Sequence, residues 1–281
     1  MITFGCAIPG GSFMPEGVAE VPSSPDLQII EKCRAVLAAG FDFTECGGGM
    51  LMNLDESGLL NLFRENEKHP LKIRAVNSLF PSSLRLADPL SDREKSIDYA
   101  KRIFEIMKEL GAKYAVLGSG AARTLVPDSD GSLRKSYTAL TDYIREIGSI
   151  APDFGVTVVI EPLRKSETNV FNSVPESAEF VRSLALPGVA LLYDAFHMAE
   201  EHTELSCVEE YASLVRHCHI AEAPHRSCPG SADSGDLSYN REFAVRLSHS
   251  GYSGGVSAEC GFRNFAADLA PILKYMKEIF N

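Results

Sequence analysis

Short apolar runs alternate with longer segments of helical spacing along the chain. Ile2 to Ile8 is a compact apolar run stopped by Pro9-Gly10-Gly11, which predicts a first strand. Phe13 and Met14 follow in a loop, as apolar groups that line a pocket or pack. From Pro25 to Ala39, Leu27, Ile30, Cys33, Val36 and Leu37 recur at helical spacing, and Gly40 supplies a stop. Phe41 to Glu45 reads as strand two, with Glu45 at its end and a Gly47-Gly48-Gly49 turn behind it. A helix over residues 56–66 leads to strand three, Ile73 to Leu79. Ser91 to Leu110 carries Ile97, Ala100, Ile103, Phe104 and Met107 on one stripe; Gly111 ends it and Tyr114 to Gly118 is strand four. Beyond the Gly-, Ser- and Asp-rich loop 119–130, a helix over 133–151 precedes strand five, which starts at Val156. Helices over 175–184, 207–214, 241–248 and 265–280 complete the pattern.

Eight strand-then-helix units mean a parallel sheet with helical crossovers. Eight is also the number that closes into a barrel, whose chemistry sits at the C-terminal ends of the strands. The expectation is an α/β protein, one (β/α)8 TIM barrel over residues 1–281, slightly longer than the roughly 250 residues usual for that fold. An open doubly wound sheet would place a Gly-rich phosphate turn straight after strand one, and Gly10-Gly11 lacks the GxGxxG spacing.

The chemistry concentrates in the second half. Val156 to Pro162, Leu191 to His197, His217 to Glu222 and Gly255 to Glu259 are each an apolar run that ends in an acid or an imidazole. Charge at the end of a buried strand needs a partner. Period-2 alternation puts Thr157, Val159 and Glu161 on one face and Ala190, Leu192 and Asp194 on one face. With His219 nearer the C-terminal end of strand seven than His217, and Glu259 ending strand eight, three carboxylates and one imidazole crown the barrel. That oxygen-rich set of Glu161, Asp194, His219 and Glu259 suits one divalent ion, Mn²⁺ first, with Mg²⁺, Co²⁺ and Zn²⁺ as alternatives. Four protein ligands leave two positions for neighbouring oxygens of a sugar. His217 lies deeper and is read as a packing or supporting group; His69, His202 and His249 are read as surface residues.

Charge and cysteine usage narrow the setting. A formal net charge of −11 disfavours nucleic-acid binding. The seven cysteines, with no CxxC among them, read as reduced thiols used for packing. With no leader and no run of about 18 apolar residues, the expectation is a soluble cytoplasmic protein without a membrane partner.

At these residues the chain resembles the xylose isomerase-like barrel superfamily of sugar isomerases and epimerases, over essentially its whole length. Glu161-Pro162-Leu163-Arg164-Lys165-Ser166-Glu167-Thr168-Asn169 is similar to the EPLNRxETN stretch of ketose 3-epimerases of the D-tagatose and D-psicose type. The resemblance implies that Glu161 binds metal and exchanges a proton, and that Glu167 touches sugar hydroxyls. It implies a metal-binding Asp194 and substrate-binding His197 in Tyr193-Asp194-Ala195-Phe196-His197, a metal-binding His219, and Glu259 as the second acid/base. Two departures stand out. Arg164-Lys165 replaces Asn-Arg, and the position six after His219, an Arg in the epimerases, is His225. The arginine one further on, Arg226, matches the HIADAPGR stretch of hydroxypyruvate isomerase-like members and is the candidate substrate-binding cation, with His225 as the weaker one.

The implied activity is metal-dependent proton transfer through an enediolate on a small-molecule sugar or sugar phosphate. Return of the proton to the opposite face of one carbon gives ketose 3-epimerisation; return to its neighbour gives aldose–ketose isomerisation. An inositol-ketone dehydratase or a hydroxypyruvate isomerase would use the same metal geometry, and barrels of this group often form homo-oligomers. An abasic-site nuclease of the endonuclease IV type would need further histidines, where this chain has Val76-Asn77-Ser78, Gly118-Ser119-Gly120 and Asp233-Ser234-Gly235. A non-catalytic sugar-binding barrel would tolerate loss of a proton-handling glutamate, yet Glu161 and Glu259 are both present.

Overall fold

The structure, a computed structural model, describes residues 1–10, 24–231 and 236–280. Phe13, Met14 and the Asp233-Ser234-Gly235 segment lie outside the described residues. Among the described residues, eight parallel strands hydrogen-bond in chain order and close into a barrel. They are β1 (Thr3–Ala7), β2 (Phe43–Gly47), β3 (Ile73–Asn77), β4 (Tyr114–Leu117), β5 (Thr157–Ile160), β6 (Val189–Asp194), β7 (Val215–Ile220) and β8 (Gly255–Ala258). The helices are α1 (Pro25–Ala38), α2 (Gly48–Met52), α3 (Glu56–Lys68), α4 (Arg93–Leu110), α5 (Gly120–Arg123), α6 (Arg134–Ile150), α7 (Val174–Leu184), α8 (Ala195–Glu200), α9 (Ser206–Glu210), α10 (Ser238–His249) and α11 (Phe265–Ile279). The expected (β/α)8 barrel is the observed architecture.

Strand alternation divides the core into two layers. Ala75, Val116, Val159, Ala190 and Leu192 pack together inside the barrel. Val158, Ile160, Leu191, Tyr193, Cys218 and Ile220 point outward into the apolar layer beneath the helices. The long helices begin where local chemistry directs. Asp55, Asp92, Ser173 and Asn264 each accept a hydrogen bond from a backbone N–H in the first turn of α3, α4, α7 and α11. Gly111, at φ 74°, ends α4 in the left-handed conformation. No helix among the described residues is long and apolar enough to cross a membrane.

The structure departs from the sequence expectation mainly at the rim. Three short helices, α2, α5 and α8, stand where turns or loops are expected. Gly48 opens α2 because an added Cβ there would lie 2.8 Å from the Leu79 carbonyl oxygen, so only glycine lets this turn approach the loop after β3. The helix expected over 207–214 breaks into α9 and a 3₁₀ turn, Ala212–Leu214. Strand two is shifted: Asp42 accepts from the Phe4 N–H at 2.8 Å, and the ladder with β1 pairs Phe43 with Gly5 and Glu45 with Ala7. Glu45 therefore lies inside β2 and not at its end.

Candidate active site

Parallel strands of a closed barrel bring their C-terminal ends to one rim, and the last four strands carry the acids there. Glu161 directly follows β5, Asp194 ends β6, His219 is the penultimate residue of β7 and Glu259 follows β8. Asp194 and His219 are register partners across the β6–β7 ladder. Asp194 also caps α8, its Oδ1 accepting from the Phe196 N–H at 2.8 Å, which holds the carboxylate while Oδ2 faces the rim centre. One ligand atom from each of these four residues lies within 4.8 Å of those of the others, and all four side chains are buried. The geometry therefore brings together the four residues singled out in the sequence.

These distances fit one cation. Donors around a six-coordinate ion at about 2.1 Å lie roughly 3 to 4.2 Å apart, close to the observed separations. His219 Nδ1 faces Glu161 Oε1 at 3.0 Å and Glu259 Oε2 at 3.1 Å. The charges point the same way. Burial of several carboxylates is costly unless positive charge offsets it, and Arg226 supplies part of it. Its Nη2 donates to Asp194 Oδ2 at 2.9 Å and to Glu259 Oε2, while its Nε donates to the Glu259 carbonyl at 3.2 Å. Burial pushes the Glu161 carboxyl up, to about 7, and the nearby Glu259 and Asp194 charges add to that against the pull of His219. Asp194 is buried as well, but Arg226, His197 and His219 hold its carboxyl well below the usual carboxylate range. For His219, burial alone would favour the neutral ring, but Glu259 and Glu45 raise it far above an ordinary imidazole. An acid-rich cluster with so few cations has the composition of a divalent-ion site.

A cavity of about 450 Å³ opens over this cluster, lined among others by Glu161, Glu167, His197, Arg226 and Glu259. The three residues expected to touch substrate thus share one cavity with the two expected proton carriers. Glu167 is partly exposed and accepts from Arg164 Nε at 2.8 Å. His197 is buried, receives the Arg164 backbone N–H on Nδ1 at 3.3 Å and has Arg226 Nη1 2.9 Å from Nε2. His225 lines the same cavity from an exposed position. Arg164, which departs from the epimerase pattern, reaches Glu200 at 3.1 Å and stacks its guanidinium over the Phe196 ring. His69, His202 and His249 are exposed, as expected. All seven cysteines are free, six of them buried.

Three residues that shape this site escaped the sequence reading: Glu45, Asn77 and Arg123. Glu45 and His217 form a pair inside the barrel, with His217 Nε2 against Glu45 Oε1. The signal for Glu45 was a charge within an inward-facing apolar run, but the shifted strand boundary hid it. Asn77, at the end of β3, donates from Nδ2 to Glu259 Oε1 at 2.7 Å. Arg123 is completely buried and donates to the Leu117 carbonyl and, at 2.7 Å, to the Glu161 carbonyl, tying the ends of β4 and β5 together. Ala122 and Leu125 on either side of it are apolar, but no local pattern marks the arginine itself as buried.

Comparison with known proteins places this geometry. The chain is 26% identical to the 3-dehydro-D-guloside 4-epimerase of Escherichia coli K12 over 72% of its own length and 77% of that protein's. It is 27% identical to the ketose 3-epimerase of Arthrobacter globiformis, over 64% of this chain and 59% of the relative. Among solved structures, the E. coli 3-keto-D-glucoside 4-epimerase superposes with a TM-score of 0.77 at 22% identity, covering 99% of this chain and 100% of that one. The Clostridium cellulolyticum H10 D-psicose 3-epimerase with D-tagatose gives 0.78 at 18% identity, with both chains covered in full. At those identities the structures speak for the fold alone. The model of the xylose isomerase-like TIM barrel matches residues 33–279, and the chain belongs to that family.

Proposed function

We propose that this protein is a divalent-metal-dependent sugar isomerase or epimerase, which moves a proton through an enediolate to accomplish ketose 3-epimerisation or aldose–ketose isomerisation. The observation that carries the reading is the convergence of Glu161, Asp194, His219 and Glu259 beneath a cavity lined by Arg226 and His197. The epimerase names of its relatives support the same class. Those four residues would hold the ion, with Mn²⁺ as the first choice for a set of three carboxylates and one imidazole. When bound, such an ion would polarise a carbonyl and acidify the C–H of the neighbouring hydroxyl-bearing carbon.

The remaining steps belong to this chain's side chains. Of the four cluster residues, Glu161 and Glu259 line the cavity. They are the proton carriers, one removing the C–H proton and the other delivering it. Asn77 occupies Glu259 Oε1, which fixes the carboxylate plane. Arg226 would offset the negative charge that accumulates on the sugar oxygens, and His197 and Glu167 would orient its hydroxyls. The substrate is a small-molecule sugar or sugar phosphate. Seven free thiols suit a reducing, cytoplasmic setting.

A panel of free and phosphorylated ketoses and aldoses with Mn²⁺, Mg²⁺ and Co²⁺, read by product identity and solvent-deuterium incorporation, tests the reading. Glu259→Gln should retain metal and lose proton exchange. Unchanged turnover after exhaustive chelation would overturn the metal reading, and full deuterium exchange in Glu259→Gln would overturn the proton-carrier assignment.

A further inference from the structure

Glu45 is fully buried inside the barrel, a place where an ionised carboxylate costs several kcal/mol unless both oxygens are satisfied. Its register partners, Ala7 on β1 and Ala75 on β3, are both small. The side chain crosses the interior to β7, where its oxygens divide between two histidines. Oε1 meets His217 Nε2, and Oε2 lies 3.1 Å from His219 Nε2. Among the described residues, Glu45 is the one partner of the His219 ring nitrogens from outside the four-group cluster. The ring is thus held by Glu45 on one edge and presents Nδ1 to Glu161 and Glu259 on the other.

A neutral imidazole has one N–H and one lone pair, and the partner of one nitrogen decides the character of the other. A carboxylate only accepts, so Glu45 keeps a proton on Nε2. A cation held by the cluster would displace any proton from Nδ1, and the ring would then meet it with the Nδ1 lone pair. We propose that Glu45 is a positioning residue which selects the His219 tautomer and ring orientation for binding a divalent cation through Nδ1. His217 holds Glu45 from the other side, with its own ring stacked on Tyr114 at 5.4 Å between centroids and edge-on to Phe43 at 5.8 Å. The inference rests on the metal reading above and adds the residue that prepares the ligand.

Glu45, His217 and His219 are also close enough together to form a three-ligand set of their own. Two ions would then share His219 through opposite nitrogens and require a fully deprotonated ring. Glu45 gives each Nε2 atom an acceptor of its own, Oε1 for His217 and Oε2 for His219, which accounts for both rings without a second ion.

Calorimetric titration of the chelator-stripped full chain with Mn²⁺ separates these outcomes, with ¹⁵N-histidine NMR of the Zn²⁺-loaded protein as a second readout. Wild type should bind one ion per chain and show His219 protonated on Nε2 and metal-bound on Nδ1. Glu45→Gln should still bind one ion, about 10- to 100-fold more weakly, the range usual for loss of a group that orients a metal-bound histidine, and its His219 should lose the single-tautomer signature. An affinity within threefold of wild type would overturn the proposal. Two ions per chain in wild type, falling to one in Glu45→Gln, would make Glu45 a ligand and overturn it too. A wild-type His219 metallated on Nε2 overturns it without any variant, so the proposal stays testable even where Glu45→Gln fails to fold. Absence of Mn²⁺ binding in wild type would instead remove the metal reading on which it rests.

Discussion

Gly118 offers a direct test of how tightly the Glu161 carboxylate is placed. It directly follows β4, and a Cβ built on it would overlap Glu161 Oε2 outright and lie 3.0 Å from Cδ. Carbon atoms settle at about 3.5–4.0 Å from their neighbours, so Gly118→Ala should displace the carboxylate by on the order of 1 Å, the scale of misplacement that costs about 100-fold in catalysis. The backbone itself accepts alanine, because Gly118 is not among the glycines with a left-handed φ. The variant should therefore fold, bind Mn²⁺ at least tenfold more weakly in calorimetry, and turn over its sugar about 100-fold more slowly. Gly49→Ala is the control: nothing lies within 4 Å of its added Cβ, and it sits in α2, where alanine favours the helix. Wild-type Mn²⁺ affinity and turnover in Gly118→Ala, alongside a normal melting transition, would show that Glu161 has room to move and would refute the idea of a rigidly held ligand.

Further outcomes follow from the groups behind the site. Arg123→Met should lower stability by about 3 kcal/mol in urea titration, since it leaves the Leu117 and Glu161 carbonyls without their buried donor; a loss under 1 kcal/mol would mean that those carbonyls find other partners. Asn77→Ala frees Glu259 Oε1 and should slow turnover roughly tenfold, the worth of one hydrogen bond to a charged group, while Mn²⁺ binding persists; unchanged turnover would remove Asn77 from the site. Burial pushes the Cys33 thiol from 9.0 up to about 12. Above pH 9 the unfolded chain releases that proton and the folded chain keeps it, so stability falls as pH rises. The slope from this one group is about 1.4 kcal/mol per pH unit until the folded thiol itself ionises. Urea midpoints measured from pH 8 to 10.5 should drop less steeply in Cys33→Ala, and parallel slopes in the two proteins would contradict the assignment.

What the sequence reveals about this site and what it conceals follow from how far each interaction reaches along the chain. Glu161, Asp194 and Glu259 are legible because each one terminates its own apolar run, and His219 because it stands beside the end of its strand, so a local pattern marks both the strand and its end. The long helices are legible for the same reason, their stripes and caps lying within a few turns. Glu45 is different. Its partners are 172 and 174 positions away, and nothing near Phe43 announces that a histidine pair on β7 will cross the barrel to meet it. Asn77 meets Glu259 across 182 positions, and Arg123 owes its burial to the ends of two strands it does not belong to. The short rim helices are hidden for a related reason: Asp194 serves both as the last strand residue and as the cap of α8, leaving no loop to mark the change. Barrel closure is what converts such isolated residues into one site. The proposed ligands can be read along the strands, whereas the groups that would orient them appear only once β1 has paired with β8 and the interior has become a single space. It follows that the residues least visible in the sequence are the ones whose substitution should disturb metal affinity and geometry while leaving the ligand set intact.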